Sequence, residues 1–253
     1  MPVEPLSVTL SANRRKVLAL AALAPLMPQR AGAQTAPCSV ETADEARLRT
    51  DFPWLDRYAR DNAQVLASGV PTNIVFMGDS ITQGWRDKHP AFFPDGRVNR
   101  GIGGQTTPQM LLRMMADVIA LKPVAVHIMG GTNDIAGNTG PMSPDMTCNN
   151  IAAMATLARA NGLRVLLASI PPAANFPWRP GLDTRTPIAR INTWFRDYAL
   201  REGHVWVDYH PALANDSGGM EPGLAVDGVH PTPTGYDAME AVLLPVLRQL
   251  HLA

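Results

Sequence analysis

The chain has 253 residues, with 22 basic and 22 acidic side chains, a formal net charge of zero and a sequence pI of about 7.0. This length suits one α/β domain preceded by a leader. The balanced charge excludes a basic nucleic-acid-binding stripe, and the aromatic content of 6% provides no platform for stacking bases. We therefore expect no nucleic acid as a partner.

Residues 1–33 are predicted to be a signal peptide. Basic residues at 14–16 precede an apolar run at 17–24 that is too short to span a bilayer, and Ala31-Gly32-Ala33 is typical of a signal-peptidase site. The pair Arg14-Arg15 is similar to a twin-arginine signal. A Sec signal and an ordinary amphipathic helix are the alternatives. The prediction is an exported protein, periplasmic or secreted, without stable membrane insertion.

Export would make the two cysteines of the chain relevant. Cys38 and Cys148 could form one disulfide that fixes the N-terminal arm. Two free thiols are an equally good interpretation, because the sequence cannot show that the two side chains meet.

Residues 34–253 predict a single domain with a short N-terminal helical arm, in which helices and strands alternate. Apolar spacing and turn signals predict strands at 73–77, 98–99, 124–129, 163–168 and 204–208, and helices at 56–68, 108–121, 145–160, 187–202 and 234–250. Alternation of this kind indicates an α/β fold with a parallel sheet that is covered by helices on both faces.

A serine follows the first predicted strand. The glycine at position 78 lets the chain turn, so Ser80 lies just past the carboxyl end of a strand, where open α/β sheets place their ligands. The Gly-x-Ser-x-Gly elbow of α/β-hydrolases is excluded, since position 82 is Thr82. Ser80 is a candidate nucleophile that needs a nearby base. The alternative is that Ser80 only caps the following helix.

Backbone and side-chain donors follow the next two strands. Gly103 and Gly104 provide N–H groups without a side chain to block a substrate, and Asn133 follows the strand at 124–129. Together with the Ser80 N–H, they could bind the oxyanion that develops during acyl transfer. The alternatives are an ordinary turn for the glycines and an Asx-turn for Asn133.

Substrate contacts are predicted from a loop at 173–181, which follows a strand end. Trp178 could stack on a sugar ring and Arg179 could meet a carboxylate or a carbonyl, whereas the alternative is a rigid surface loop whose Trp packs inward. Asp79 and Trp85, beside the nucleophile, are further candidates. No His, Asp or Glu cluster shows ligand spacing along the chain, so neither a metal nor a cofactor is predicted.

The base is predicted to be His230. Of the six histidines, only His230 has a carboxylate three residues upstream in a turn-rich segment, where Asp227 can fold back to orient the imidazole. His127 lies inside an apolar strand and is predicted to be a core residue. The alternative for Asp227 is that it caps the helix that begins near residue 233.

Taken together, these blocks resemble the SGNH hydrolase superfamily of GDSL-type esterases and lipases. The matching residues are Gly-Asp-Ser at 78–80, Gly-Ile-Gly-Gly-Gln-Thr at 101–106, Gly-Thr-Asn-Asp at 131–134 and Asp-Gly-Val-His at 227–230. The resemblance implies a three-layer α/β/α sandwich with a five-stranded, flavodoxin-like parallel sheet. It also implies a catalytic set of Ser80, Asp227 and His230, and an oxyanion hole formed by Ser80, Gly104 and Asn133.

The second block is similar to the platelet-activating-factor acetylhydrolase-like branch, which implies short acyl groups. The prediction is a serine esterase that removes short acyl groups, foremost acetyl, from a carbohydrate or small alcohol through an acyl-enzyme. The alternatives are a lysophospholipase or thioesterase that acts on longer chains, a catalytically silent glycan-binding domain, and an acyltransferase.

Overall fold

The computed structural model describes residues 42–252, which lie within one compact unit. Its sheet has five parallel strands: Ile74–Gly78 (β1), Arg97–Gly101 (β2), Ala125–Met129 (β3), Arg164–Ala168 (β4) and Val205–Val207 (β5). Their spatial order is β2-β1-β3-β4-β5. This is the flavodoxin-like order that the resemblance implies, so the predicted fold is confirmed.

Helices surround the sheet and join its strands. Short ones lie at Ala43–Thr50 (α1), Thr107–Leu112 (α4), Met114–Asp117 (α5), Thr132–Ala136 (α6) and His210–Leu213 (α9); longer ones at Asp56–Ser68 (α2), Ser80–Lys88 (α3), Pro144–Ala160 (α7), Arg185–Glu202 (α8) and Pro233–Gln249 (α10). Two 3₁₀ turns span Pro90–Phe92 and Ile119–Leu121. The predicted long helices agree with α2, α7, α8 and α10 to within two residues at each end.

The central strands β1 and β3 are buried on both faces, and their apolar side chains alternate between two clusters. In β1, Val75 and Met77 pack with α4, α7 and α8, whereas Ile74 and Phe76 pack with α3 and α10. Burying each such side chain contributes about 1.5–3 kcal/mol. This alternation makes the three layers and explains why β1, β3 and β4 are mainly apolar.

One predicted helix is wrong. The segment 108–121 forms α4, α5 and a 3₁₀ turn, with a break at Arg113, whose φ and ψ are −99° and 3°. The reason lies in the side chain, because the guanidinium of Arg113 is fully buried and donates to four acceptors inside the fold. Apolar spacing alone does not reveal such a contact.

The predicted signal peptide at 1–33 lies outside the described residues, as does Cys38. Cys148 is a free, buried cysteine in the structure. No helix within residues 42–252 is long and apolar enough to cross a membrane.

Candidate active site

Three of the four sequence blocks follow strand ends at one edge of the sheet. The ends of β1, β2 and β3 are level there, because Gly78 pairs with Gly101 on one side and with Met129 on the other. Strand β1 lies between β2 and β3, where the strand order reverses. Open α/β sheets bind their ligands at this switch point.

A tight turn carries the chain from β1 into α3. A Cβ at Gly78 would lie 2.0 Å from the Thr82 hydroxyl and 2.8 Å from the Met129 carbonyl oxygen, so only glycine fits. The carboxylate of Asp79 then caps α3 by accepting the N–H of Ile81 at 3.0 Å. Because Asp79 is the cap, the alternative in which Ser80 serves only as the cap is wrong.

The side chain of Ser80 lies against a histidine from the other end of the chain. Ser80 Oγ is 2.9 Å from His230 Nε2, and the serine is only half-buried. Ser80 is also the first residue of α3, so its backbone N–H has no acceptor within the helix. The hydroxyl and the N–H are thus available at the same point of the surface.

The turn at 227–230 folds the carboxylate of Asp227 back onto His230. Asp227 Oδ2 is 2.8 Å from His230 Nδ1, while Oδ1 accepts the backbone N–H groups of Val229 and His230. An Nδ1–H that donates to Asp227 leaves Nε2 as the acceptor that faces Ser80. The side chain of Thr232, not that of Asp227, caps α10. The alternative capping role of Asp227 is therefore wrong.

The environment of Asp227 favours its charged form. Partial burial raises the pKa of Asp227, but the N–H groups of His230 and Val229 and the imidazole outweigh it and hold the pKa below its usual range. A carboxylate that stays ionised can fix the imidazole tautomer and stabilise an imidazolium. The Ser80–His230–Asp227 arrangement can therefore activate a hydroxyl nucleophile.

The two adjacent glycines differ in what their N–H groups contact. The N–H of Gly103 donates to Gln83 Oε1 at 2.8 Å. Within residues 42–252, the N–H of Gly104 has no acceptor at hydrogen-bond distance. Gly104 has a φ of +76°, which favours glycine, and both glycines are exposed. Gly104 is therefore the one of the pair whose N–H can bind an oxyanion.

The amide of Asn133 is buried close to Gly104. Its Nδ2 donates to the Gln105 carbonyl at 3.0 Å and lies 3.5 Å from Asp79 Oδ2, and its Oδ1 accepts from Asn138 Nδ2 at 2.9 Å. Asn138 also donates to the Gly104 carbonyl at 3.2 Å. The amide orientation is thus fixed, with Nδ2 on the side of residues 101–106, which we call the glycine loop. Sequence reasoning missed Asn138; the only signal was a second Asn five residues after the first.

The block that contains Asn133 is anchored by its neighbour. The carboxylate of Asp134 accepts the backbone N–H of Thr107 at 2.9 Å, the Thr107 hydroxyl in a short hydrogen bond, and the Thr147 hydroxyl at 3.2 Å. Burial raises the pKa of Asp134. These bonds tie α6 to the start of α4, which follows the glycine loop.

Trp178 and Arg179 lie beside this site. The Trp178 ring is stacked on Phe176 with centroids 5.1 Å apart, its centroid is 5.9 Å from that of His230, and the residue is 38% exposed. Trp178 therefore packs partly against the protein and stays partly exposed beside His230, so its role as a substrate contact stays a prediction. Arg179 is exposed and donates to the Gly137 carbonyl at 3.3 Å.

An open cavity of about 790 Å³ lies between the loop that carries Trp178 and the segment after Asn133. Its apolar lining includes Ile135, Met142, Leu182 and Trp178, and its polar lining includes Arg179. The cavity adjoins the edge of the sheet that holds the candidate catalytic residues, so it can take one part of a substrate.

The other two predicted substrate contacts are wrong. Trp85 is fully buried, stacks on Phe92 with ring centroids 4.9 Å apart, and donates to Glu240 at 2.9 Å. Asp79 is only 2% exposed. Burial raises the pKa of Asp79 to about 6, while the Ile81 N–H lowers it. Both side chains are buried beneath the site and do not face the substrate.

One group of ligand-type side chains exists among the described residues, although sequence spacing did not indicate it. Donor atoms of His89, Asp237 and Glu240 lie within 4.8 Å of one another. Glu240 already accepts hydrogen bonds from Trp85 and His89, and its carboxylate interacts electrostatically with the Arg97 guanidinium. Hydrogen bonds and charge pairing therefore account for this group, and we assign no metal to it.

Comparison with known proteins gives a consistent result. The model of the GDSL-like lipase/acylhydrolase family matches residues 76–238. A GDSL-like lipase from Bacteroides thetaiotaomicron is 42% identical with a TM-score of 0.75, over 79% of this chain and 100% of that one. Esterase TesA from Pseudomonas aeruginosa is 29% identical over 154 residues, which are 60% of this chain and 70% of that protein.

A more distant likeness extends the fold comparison. An acetylxylan esterase from Geobacillus stearothermophilus, solved as a catalytic mutant, is 21% identical with a TM-score of 0.54, over 70% of this chain and 94% of that one. This likeness shows the shared fold alone. The family model and the Bacteroides structure identify the chain as a member of the GDSL-like lipase/acylhydrolase family, that is, as an ester hydrolase of the SGNH superfamily.

Proposed function

We propose that this ester hydrolase removes short acyl groups, foremost acetyl, from a carbohydrate or small-molecule alcohol through a covalent intermediate on Ser80. The observation that carries the covalent mechanism is the continuous contact from Ser80 Oγ to His230 Nε2 at 2.9 Å and from His230 Nδ1 to Asp227 at 2.8 Å. A serine hydroxyl needs such a base to attack an ester at neutral pH.

The proposed reaction has two steps. Ser80 Oγ attacks the ester carbonyl and its proton passes to His230 Nε2, while the oxyanion receives the N–H groups of Ser80 and Gly104 and an Nδ2–H of Asn133. Collapse of this intermediate expels the alcohol, which takes the proton from His230. Water then attacks the acyl-enzyme, with His230 again as base, and releases the acid. Asp227 stabilises the imidazolium in both steps.

Support for a carbohydrate leaving group comes from Trp178. Its half-exposed ring beside His230 offers a flat apolar face next to the reacting atoms, and Arg179 lies on the same loop. Trp178→Ala should raise KM for acetylated xylo-oligosaccharides several-fold and leave kcat/KM for methyl acetate nearly unchanged. Leu200→Ala, an exposed apolar position on α8, is the matched control. Equal effects of Trp178→Ala on both substrates would refute the stacking role.

The cavity of about 790 Å³ favours a second candidate, a lysophospholipase or thioesterase that acts on longer acyl chains. Its apolar lining could hold an acyl chain. A series of nitrophenyl esters from acetate to dodecanoate distinguishes the two candidates, because the short-acyl proposal requires the highest kcat/KM at acetate. Met142→Trp should narrow this cavity and reduce only the activity on long chains. If the wild type prefers octanoate or longer esters, the short-acyl proposal fails.

Two further alternatives are tested by incubating the protein with acetylated sugars and analysing the products. A silent glycan-binding domain predicts binding of acetylated sugars without turnover. An acyltransferase predicts that an added sugar acceptor takes the acyl group in place of water, which product analysis detects.

We also propose export, for which the support is the sequence at 1–33. N-terminal sequencing of the protein from a periplasmic fraction should begin at Gln34, and Arg14→Lys together with Arg15→Lys should block a twin-arginine route.

A further inference from the structure

A layer of buried polar side chains lies directly beneath the glycine loop. Arg113, Asp117 and Arg100 are at most 2% exposed, and Asn62 is 8% exposed. Asn62 donates to Asp117 at 2.7 Å and accepts from Arg100 at 2.8 Å, and Arg113 donates to Asp117 at 3.1 Å. Buried charges are costly unless they are paired, and Arg100 Nη2 has no hydrogen-bond partner among the described residues. This layer therefore carries a cost that apolar packing would avoid, which implies a role other than packing.

Arg113 connects this layer to the active-site edge. Its Nη2 donates to the carbonyl of Gly78 at 2.9 Å, its Nη1 to the carbonyl of Arg100 at 2.8 Å, and its Nε to Gln105 Oε1 at 2.6 Å. Gly78 ends the strand that leads to Ser80, and Arg100 lies in β2, which leads into the glycine loop. One rigid, planar group therefore sets the spacing between these two strand ends and the loop.

Gln105 passes this constraint to both candidate oxyanion donors. Its backbone directly follows Gly104, and its carbonyl accepts the hydrogen bond that orients the Asn133 amide. Its side chain is held at two points, by Arg113 at Oε1 and by the Pro53 carbonyl, which accepts from Nε2 at 2.8 Å. A displacement of Gln105 would move the Gly104 N–H and release the Asn133 amide at the same time.

We propose that Arg113 is the positioning residue of the oxyanion hole: through Gln105 it holds the Gly104 N–H and the Asn133 amide at a fixed distance from Ser80. The inference rests on the proposed function of the site. Arg113 touches no substrate. Arg113 instead affects the rate through the oxyanion donors, because the rate depends on placing these N–H groups within a few tenths of an ångström of their best position around the oxyanion.

The test compares Gln105→Met and Arg113→Lys with the wild type. Gln105→Met removes the link to Arg113 and keeps the buried pair Arg113–Asp117, so it preserves the fold better. Lysine has a single charged nitrogen and cannot reach all four acceptors of the guanidinium together. Both variants should lower kcat by about 10²-fold, as the loss of an oxyanion donor does, while KM stays within about threefold. Combining Gln105→Met with Arg113→Lys should cost little more than either change alone.

Two controls separate positioning from lost stability. Leu247→Ala creates a cavity in the buried part of α10, and its neighbour Leu250 contacts Arg164 at the opposite end of the strands. This variant should lower Tm and leave kcat within about threefold of the wild type. The pH profile of kcat/KM should keep its midpoint in Gln105→Met, because the Ser80–His230 contact is untouched.

The outcomes distinguish this inference from the proposed function. If a fluorophosphonate labels Ser80 in the wild type, but folded Gln105→Met and Arg113→Lys keep wild-type kcat or change only KM, the positioning role is refuted. A shifted pH midpoint in Gln105→Met would also refute it, since the change would then act through His230. If the wild type is not labelled at Ser80, the proposed function itself fails.

Discussion

Asp79 is ionisable, almost completely buried and adjacent to the candidate nucleophile, so its charge should set a measurable pH dependence of stability. Burial raises its pKa in the folded protein from the ordinary value of 3.8 to about 6. The charged form is therefore less favourable in the folded protein than in the unfolded chain. Asp79→Asn removes the charge and keeps an oxygen that can accept the Ile81 N–H.

Proton linkage determines whether the free energy of unfolding rises or falls with pH. Below pH 3.8 Asp79 is protonated in both states and costs nothing. Between pH 3.8 and 6 the unfolded chain ionises first, so the free energy of unfolding falls as the pH rises. Above pH 6 the full cost is present, about 3 kcal/mol for a difference of roughly two pKa units. Asp79→Asn should therefore stabilise the protein at pH 8 by about 2 kcal/mol more than it does at pH 4.

Urea unfolding of both proteins at several pH values between 4 and 8 measures this difference, and subtracting the two curves cancels the groups that titrate in both. Asp237→Asn, an exposed carboxylate on α10, is the matched control and should show no comparable pH-dependent gain. A difference between Asp79→Asn and the wild type that does not change from pH 4 to pH 8 would refute the assigned burial cost.

Three further predictions concern the site. Asn133→Ala should lower kcat by about 10²–10³-fold with KM nearly level, by steady-state kinetics; a raised KM at constant kcat would make Asn133 a binding residue. Gly104→Ala places a side chain at a φ of +76° and should cost about 1–2 kcal/mol in urea unfolding. Gly103→Ala, where the added Cβ meets Ser80 Cβ at an ordinary 3.7 Å, should keep Tm, and equal losses in both variants would contradict the assignment of strain to Gly104. Asp227→Asn should lower kcat by about 10⁴-fold with little change in Tm, because the imidazole then presents the wrong tautomer to Ser80; near-normal turnover would exclude Asp227 as the orienting group.

Much of the fold was predictable because short apolar runs and turn residues in the local sequence indicate the buried strands of a parallel sheet. The strand at 124–129 is an apolar run that even accommodates His127, which is fully buried as predicted and contacts the Tyr209 hydroxyl at 3.0 Å. Gly69 ends α2 with a φ of 70°, where the sequence indicated a stop. Signals of this kind need no information from distant parts of the chain.

The polar interior was not predictable in the same way. Arg113 and Asp117 lie on the apolar face of the 108–121 segment together with Met110 and Met114, and that placement was the available signal. Charged side chains at helical spacing normally face solvent, so the pattern favoured one continuous helix. The acceptors of Arg113, such as the carbonyl of Gly78, lie far away in sequence, and only the folded chain brings them together.

Trp85 illustrates the same limit at the site. Its position five residues after Ser80 suggested a substrate contact, but the first turns of α3 direct it into an aromatic cluster with Phe92 and Tyr236. Trp178, almost a hundred residues further along the chain, is the aromatic side chain that lies beside His230. Proximity in sequence to a nucleophile therefore did not indicate proximity to the substrate.

Covalent labelling of Ser80 tests the central claim most directly. The wild-type protein, incubated with a fluorophosphonate and analysed by intact mass and peptide mapping, should carry one adduct, located on Ser80, and should lose esterase activity in proportion to labelling. Ser80→Ala should bind no probe, keep its fold and lower kcat by about 10³-fold or more. An adduct that persists in Ser80→Ala, or full activity in a labelled protein, would contradict the account.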